Sequence, residues 1–492
     1  MVSSLPAWCA ALPLLAVPLI LGLGRWPNLR EAASLLAGAV TFLCVVSLWP
    51  EVAAGARPAW QIAEPLPGVH IEFVVEPLGL VLALIASFLW MVTTLYAIGY
   101  MRGHNESNQT RFYAFFAVSI ASAIGAAFSA NLVTLFIFYE ALTLATFPLV
   151  THAGTDEAKR GGRTYLGLLI GTSIGLLLFA IVWTWQLAGT TEFRPGGILA
   201  GKASGGLLVV LYALFLFGIG KAALMPFHRW LPAAMVAPTP VSALLHAVAV
   251  VKVGVFSVLK ITVYIFGLDL LAGSDAATLL GYVAGATMLI ASLVALRQDN
   301  LKRRLAYSTV SQLSYVVLGA TLASAWGVIG GGLHIVMHAF GKITLFFCAG
   351  AILVAAHKTE VSQLDGIGRR MPWTLGAFTV GAMSMIGLPP AAGFVSKWYL
   401  MLGSLSGEHY FALFVLIAVT LLNAAYFVPI VYAAFFRAPK EDAHHGHGDH
   451  EHGEAPLTMV IAIVLTAAMT VGLFFYPDPA LELVQQLVGG RT

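Results

Sequence analysis

Charge is scarce in this chain. Only 10% of its 492 residues are Asp, Glu, Lys or Arg, and 59% are hydrophobic, whereas soluble domains carry about 25% charged residues. That balance excludes a soluble core and leaves a polytopic, all-α membrane protein with no soluble domain or linker. Cysteine is rarer still. Cys9, Cys44 and Cys348 lie in apolar runs, without metal spacing or a pairing pattern, and read as small core residues. No P-loop, G-x-G-x-x-G fingerprint, C-x-x-C pair or nucleophile motif occurs, so no cofactor, quinone headgroup or nucleic-acid partner is expected. The N-terminus has no basic n-region and no evident cleavage site, and reads as an uncleaved first span.

What is present is a succession of apolar runs. A bilayer core of about 30 Å takes about 20 residues per helix, and that rule gives fourteen spans: 7–24, 31–49, 76–100, 112–129, 131–151, 164–187, 205–225, 240–265, 277–296, 305–324, 326–356, 373–402, 410–435 and 456–476. The spans near 205–235 and 240–265 carry Pro, Gly and charge and are candidates for broken helices. Basic residues then orient the chain. Loops after odd-numbered spans hold Arg25, Arg30, Arg102, Arg111, Lys159, Arg160, Arg163, Arg297, Lys302, Arg303, Arg304, Lys358, Arg369, Arg370, Arg437 and Lys440, whereas loops after even-numbered spans hold only Arg57, Arg194 and Lys202. The asymmetry places the odd loops in the cytoplasm and both termini on the other side.

The few charges inside the spans carry the chemistry. An ionisable group at membrane depth costs about 2.5–3.5 kcal/mol on insertion scales and marks an ion or proton pathway. Glu140, in NLVTLFIFYEALTLATFPLV, is the only acid deep in a span, and an unpaired carboxylate there would be protonated. Lys221, in FLFGIGKAALMPFHRWLP, is its natural partner, and Pro226 interrupts that helix five residues later. Span 8 holds His246 and Lys252, with Lys260 near its end, where it can snorkel. Span 11, GGLHIVMHAFGKITLFF, stacks His334, His338 and Lys342 at i, i+4 and i+8 on one face, an arrangement suited to proton shuttling. Gly330, Gly331 and Gly332 before them allow unwinding or a close neighbour. Lys397 in span 12 follows a break marked by Pro389, Pro390 and Gly393, and Thr309, Ser311, Gln312 and Ser314 add polar groups on span 10. Ordinary helix–helix hydrogen bonding accounts for that last set equally well.

Two features concern organisation. LFGIGKAALMPFHRWL around Lys221 and AAGFVSKWYLMLGSL around Lys397 resemble each other and lie five spans apart, so the second copy would be inverted relative to the first, a recurring transporter plan. Residues 441–454, EDAHHGHGDHEHGE, contain His444, His445, His447, His450 and His452. These are candidates for divalent metal, but without fixed tetrahedral spacing a solvated loop is the preferred reading.

The strings NLVTLFIFYEALTL, GKAALMPFHRWLPAAMVAPTPVSALLHAVAVVKVG, DNLKRRLAYSTVSQLSY, HIVMHAFGKITLFFCAG and GLPPAAGFVSKW together resemble the proton-conducting antiporter-like subunits, over about residues 70–435. That family includes the D-type subunit of Mrp cation/proton antiporters, the antiporter-like subunits of respiratory complex I, related hydrogenase subunits and the membrane partner of bicarbonate-accumulating complexes. The resemblance implies two inverted five-helix repeats, residues 112–265 and 277–435, with helices 7 and 12 broken. It also implies a proton path through Glu140, Lys221, Lys252, His338, Lys342 and Lys397, with His246, His334, Thr309, Ser311 and Gln312 as accessories. Length and GFVSKWYL resemble the D-type Mrp subunit most. The expectation is therefore a secondary-transporter subunit, not an enzyme by itself, of a multi-subunit complex in a bacterial-type cytoplasmic membrane, handling protons and sodium. A redox-driven pump subunit and a carbon-concentrating membrane partner are the alternatives. The His-rich loop departs from the family pattern.

Overall fold

The computed structural model describes residues 2–66, 68–439 and 453–489; the His-rich tract, with His444, His445, His447, His450 and His452, lies outside the described residues. Helices occupy all fourteen places where spans were expected. In chain order they are α1 (Leu5–Gly22), α2 (Pro27–Ala53), α3 (Pro77–Gly103), α4 (Gln109–Ala127), α5 (Leu132–Val150), α6 (Asp156–Ala188), α7 (Gly205–Gly218), α8 (Thr239–Phe266), α9 (Asp275–Arg297), α10 (Leu301–Thr321), α11 (Ala325–Ala356), α12a (Pro372–Ile386), α12b (Gly393–Ser406), α13 (Tyr410–Phe436) and α14 (Leu457–Phe475). A short helix, α15 (Asp478–Gln485), follows.

Among the described residues, 11 of these helices are long and apolar enough to cross a membrane. The others fall short for separate reasons. α7 has 14 residues before it breaks, and the twelfth span is split into pieces of 15 and 14 residues. α10 has the length but is too polar, because Ser308, Thr309, Ser311, Gln312 and Ser314 are buried inside it.

Helix starts follow local chemistry. Asn131, Thr155, Ser274, Asn300 and Ser324 each accept a hydrogen bond from a first-turn N–H of α5, α6, α9, α10 and α11, satisfying donors that have no partner within the helix. One stretch departs from the all-α expectation. Two strands, β1 (Ala59–Leu66) and β2 (Val69–Val74), pair antiparallel, with Trp60 opposite Phe73 and Gln61 opposite Glu72. The second strand lies on the α4–α5 turn, where Val74 N–H reaches Phe128 O at 2.7 Å and Asn131 Nδ2 reaches His70 O at 2.8 Å.

α8 is the central post. Its most apolar window is entirely buried, and it packs against α3, α4, α5, α10 and α11 and against the turn after α7. No lipid-facing side remains, so a charge on this helix meets protein in every direction. Lys260 shows the consequence. Its expected snorkelling does not occur, because the ammonium is fully buried, 3.0 Å from the carboxylate of Glu76 at the start of α3. The ammonium directs its hydrogen bond to Ser129 O at 2.6 Å and lies 4.4 Å from the Phe193 ring centroid.

Removing one member of a buried pair costs about 3–5 kcal/mol, because the other charge is left unpaired. Lys260→Met or Glu76→Gln alone is therefore expected to lower the thermal midpoint in mild detergent markedly, and the double variant to recover most of the loss. Equal midpoints for wild type and both single variants would show that the pair carries no stability.

Candidate functional site: buried charges at two helix breaks

Both breaks begin ahead of their prolines. α7 ends at Gly218, eight residues before Pro226, and α12a ends at Ile386, before Pro389 and Pro390. After α7, a 3₁₀ turn, Gly220–Ala222, carries Lys221. The main-chain groups freed there find specific partners: Gly220 O accepts from Trp230 Nε1 at 2.9 Å, and Lys221 N–H donates to Tyr139 O–H at 3.1 Å. Gly254 of α8 allows the turn to seat. A Cβ at that position would stand 2.4 Å from the Lys221 carbonyl carbon, closer than packed atoms approach. Gly254 is thus a contact point, and α8 does not loosen at it.

Lys221 does not pair directly with Glu140. Its ammonium donates to Tyr139 O (2.8 Å) and Thr143 Oγ1 (2.5 Å) and lies over the Tyr139 ring, 3.2 Å from its centroid. These residues flank Glu140 on α5. Both Glu140 carboxylate oxygens are buried without a hydrogen-bond partner. Such orphaned polar atoms are rare in folded proteins and call for a functional explanation.

Past α8 the polar groups join into one network. Lys252 Nζ and His338 Nδ1 meet at 2.6 Å. The His338 ring stacks on His334, with centroids 5.8 Å apart, and His334 stacks on Tyr315 at 5.0 Å. His334 Nδ1 lies 2.9 Å from Ser396 Oγ and its Nε2 lies 3.1 Å from Gln312 Oε1. Gln312 Nε2 donates to Met385 O (3.2 Å), at the C-terminus of α12a. The same carbonyl accepts from Lys397 Nζ at 2.6 Å, and Lys397 also reaches Ile386 O at 2.9 Å. A second branch runs from Lys342 Nζ to Ser308 Oγ (2.9 Å), which lies 3.0 Å from the Tyr426 hydroxyl oxygen. Tyr426 donates to Asn423 Oδ1, and Asn423 Nδ2 donates to Met385 O at 3.0 Å.

The break in span 12 therefore has an electrostatic use. The last carbonyls of a helix have no partner within it and carry its partial negative charge; here they receive an ammonium. Gly393 permits the second half to begin close by: a Cβ there would overlap Ser384 O at 1.8 Å.

The expected residues divide accordingly. Lys252, His338, His334, Gln312, Lys342 and Lys397 come together. Ser311 instead bonds Ser292 of α9 (2.9 Å), while Thr309 and Ser314 bond back to Leu305 O and Val310 O of their own helix. Among the described residues, no hydrogen bond joins Lys221 to Lys252. His246 is buried beside Phe346, with neither ring nitrogen partnered. The glycine run before His334 stays helical and admits Leu400 at Gly330 and Val484 at Gly332. Sequence reading missed Tyr139, Thr143, Ser308, Asn423 and Tyr426. Asn423, a lone amide in the apolar run VTLLNAAYF, was the available signal.

A long-helix membrane fold carrying buried cations at two helix breaks defines an ion-translocating subunit architecture. Residues 129–422 match a family described as NADH:quinone oxidoreductase/Mrp antiporter, TM, and the chain belongs to that family. It is 32% identical to NADH-quinone oxidoreductase subunit N of Desulforudis audaxviator, over 87% of this chain and 85% of the relative. It is 27% identical to the D-type subunit of the Na(+)/H(+) antiporter of Alkalihalophilus pseudofirmus, over 85% and 83%. A chain in the Mrp complex of Dietzia sp. superposes with a TM-score of 0.87 at 23% identity, covering 99% of this chain and 97% of that one. A chain of an archaeal membrane-bound sulfane sulfur reductase gives 0.84 at 22%. These last two likenesses speak to the fold.

Gly254→Ala forces the Lys221 turn away from α8. It is expected to lower the thermal midpoint and proton flux together, whereas Gly376→Ala, at a glycine with open space beside it, is expected to change neither. Unchanged flux in Gly254→Ala would mean that the close approach is not needed.

Proposed function

We propose that this chain is the proton-translocating, antiporter-like subunit of a multi-subunit membrane complex. Protons move along a hydrated chain, Glu140–Lys221–Lys252–His338/Lys342–Lys397. The observation that carries this reading is the line of buried polar groups from Lys252 to Lys397: Lys252 meets His338, the His338 ring stacks on His334, and hydrogen bonds continue through Gln312 and Met385 O, with a branch to Lys342. Histidine titrates near neutrality, and a desolvated lysine exchanges its proton more readily than one in water. The unpartnered Glu140 carboxylate beside the Lys221 site supplies the acid at the other end.

Two engines suit this path. In an antiporter assembly, as the name of the Alkalihalophilus relative suggests, proton flux would exchange for sodium. In a redox assembly, as the name of the Desulforudis relative suggests, quinone-linked chemistry elsewhere in the complex would drive it. Either way the partners are other membrane subunits. The corresponding breaks at Lys221 and Lys397 support two inverted repeats, residues 112–265 and 277–435. The excess of basic residues in the odd loops supports a bacterial-type cytoplasmic membrane with both termini on the non-cytoplasmic side.

Glu140→Gln and Lys221→Ala, each in the assembled complex, are expected to abolish proton flux in sealed vesicles carrying a pH-sensitive dye, while the complex still purifies intact. Normal flux in both would sink the proposal. Tyr426→Phe removes neutral hydrogen bonds, each worth about 1 kcal/mol, and is expected to slow flux roughly fivefold without stopping it. Complete loss would instead make Tyr426 an obligatory carrier.

A further inference from the structure

We propose that Cys9 and Cys44 form an oxidisable dithiol, which a small disulfide closes into a covalent staple between α1 and α2. The two lie 35 residues apart in separate apolar spans, so their spacing gave no sign of pairing, yet the fold brings their sulfurs to 3.0 Å. Both are free thiols in this structure. A bonded pair stands about 2 Å apart, so closure requires about 1 Å of movement. Cys348 is the internal contrast: it is buried and donates to Thr374 O at 3.1 Å.

The pair is asymmetric. Cys9 is fully buried, whereas Cys44 is partly open and follows the exposed Leu43 on the outer side of α2. An incoming disulfide therefore meets Cys44 first. The Cys44 thiolate attacks one sulfur of R–S–S–R, forming Cys44–S–S–R and releasing RS⁻. Cys9 then attacks the Cys44 sulfur, forming Cys9–S–S–Cys44 and releasing the second RS⁻. The chain loses two electrons and two protons, and the reagent gains both as two RSH. Neither cysteine belongs to the proton path, so the inference stands apart from the transport reading. On the proposed orientation the pair lies near the non-cytoplasmic face, because Cys9 is in the second turn of α1 and Cys44 is near the end of the long run of α2. That is the side on which disulfides persist.

The test uses the full chain with Cys348→Ser, reduced, desalted and exposed to dithiodipyridine, an apolar disulfide whose leaving group is coloured. Closure is expected to release two thiopyridones per chain and leave no pyridylthio group, with the intact mass lower by two hydrogens. Adding Cys9→Ser is expected to release one and to leave one pyridylthio group, on Cys44. Retention of a pyridylthio group in the chain with both cysteines, or release of none, would overturn the proposal.

Discussion

An ammonium group far from water needs acceptors that are already in place, and free carbonyls are found mostly where a helix ends or turns. Most of this structure follows from that constraint. Lys221, Lys260, Lys302 and Lys397 all end on main-chain carbonyls, those of Tyr139, Ser129, Ala237, and Met385 with Ile386. Three of those four sites lie at helix ends or in turns, where carbonyls are free. At Lys397 the break itself supplies the ligands; Lys221 is the exception, served by a carbonyl inside the unbroken α5. Lys252 and Lys342 differ: they meet an imidazole and a hydroxyl, groups that can themselves take up or hand on a proton. The proposed path therefore has cations fixed by backbone carbonyls at its two ends, Lys221 and Lys397, and cations held by exchangeable partners, Lys252 and Lys342, between them.

The burial of α8 is the packing counterpart. A helix with no lipid-facing side can carry His246, Lys252 and Lys260 without exposing charge to hydrocarbon. It also separates Lys221, on the turn at Gly254, from His338, which faces Lys252. The two halves of the charged system are consequently joined through one helix, and any displacement of α8 acts on both.

The spans and their charges were legible because apolar length and isolated ionisable residues are one-dimensional signals. The hairpin at 59–74 was not, since sixteen residues of mixed polarity between long spans carry little weight against them. The environment of Lys260 was misread for a related reason. Position near a helix end suggests snorkelling, but Glu76 lies more than 180 residues away, and only folding places it at 3.0 Å. The expected Glu140–Lys221 pair was chemically reasonable, yet a carbonyl and a threonine on the same turn of α5 were nearer acceptors. The meeting of Cys9 with Cys44 is the same kind of fact: a contact between helices that no spacing along the chain records.

The carbonyl of Met385 is oversubscribed. It has two lone pairs and three donors, from Lys397, Asn423 and Gln312, so at least one is always imperfectly served. The arrangement behaves as a competition with a fixed prize. Were Lys397 neutral, its claim would weaken, and the amides of Gln312 and Asn423 would tighten. Gln312 holds His334 and Asn423 holds Tyr426, so each would pull its own partner with it. A change of charge at one lysine is thereby announced at two other helices through the rationing of a single oxygen, without any large movement of the backbone.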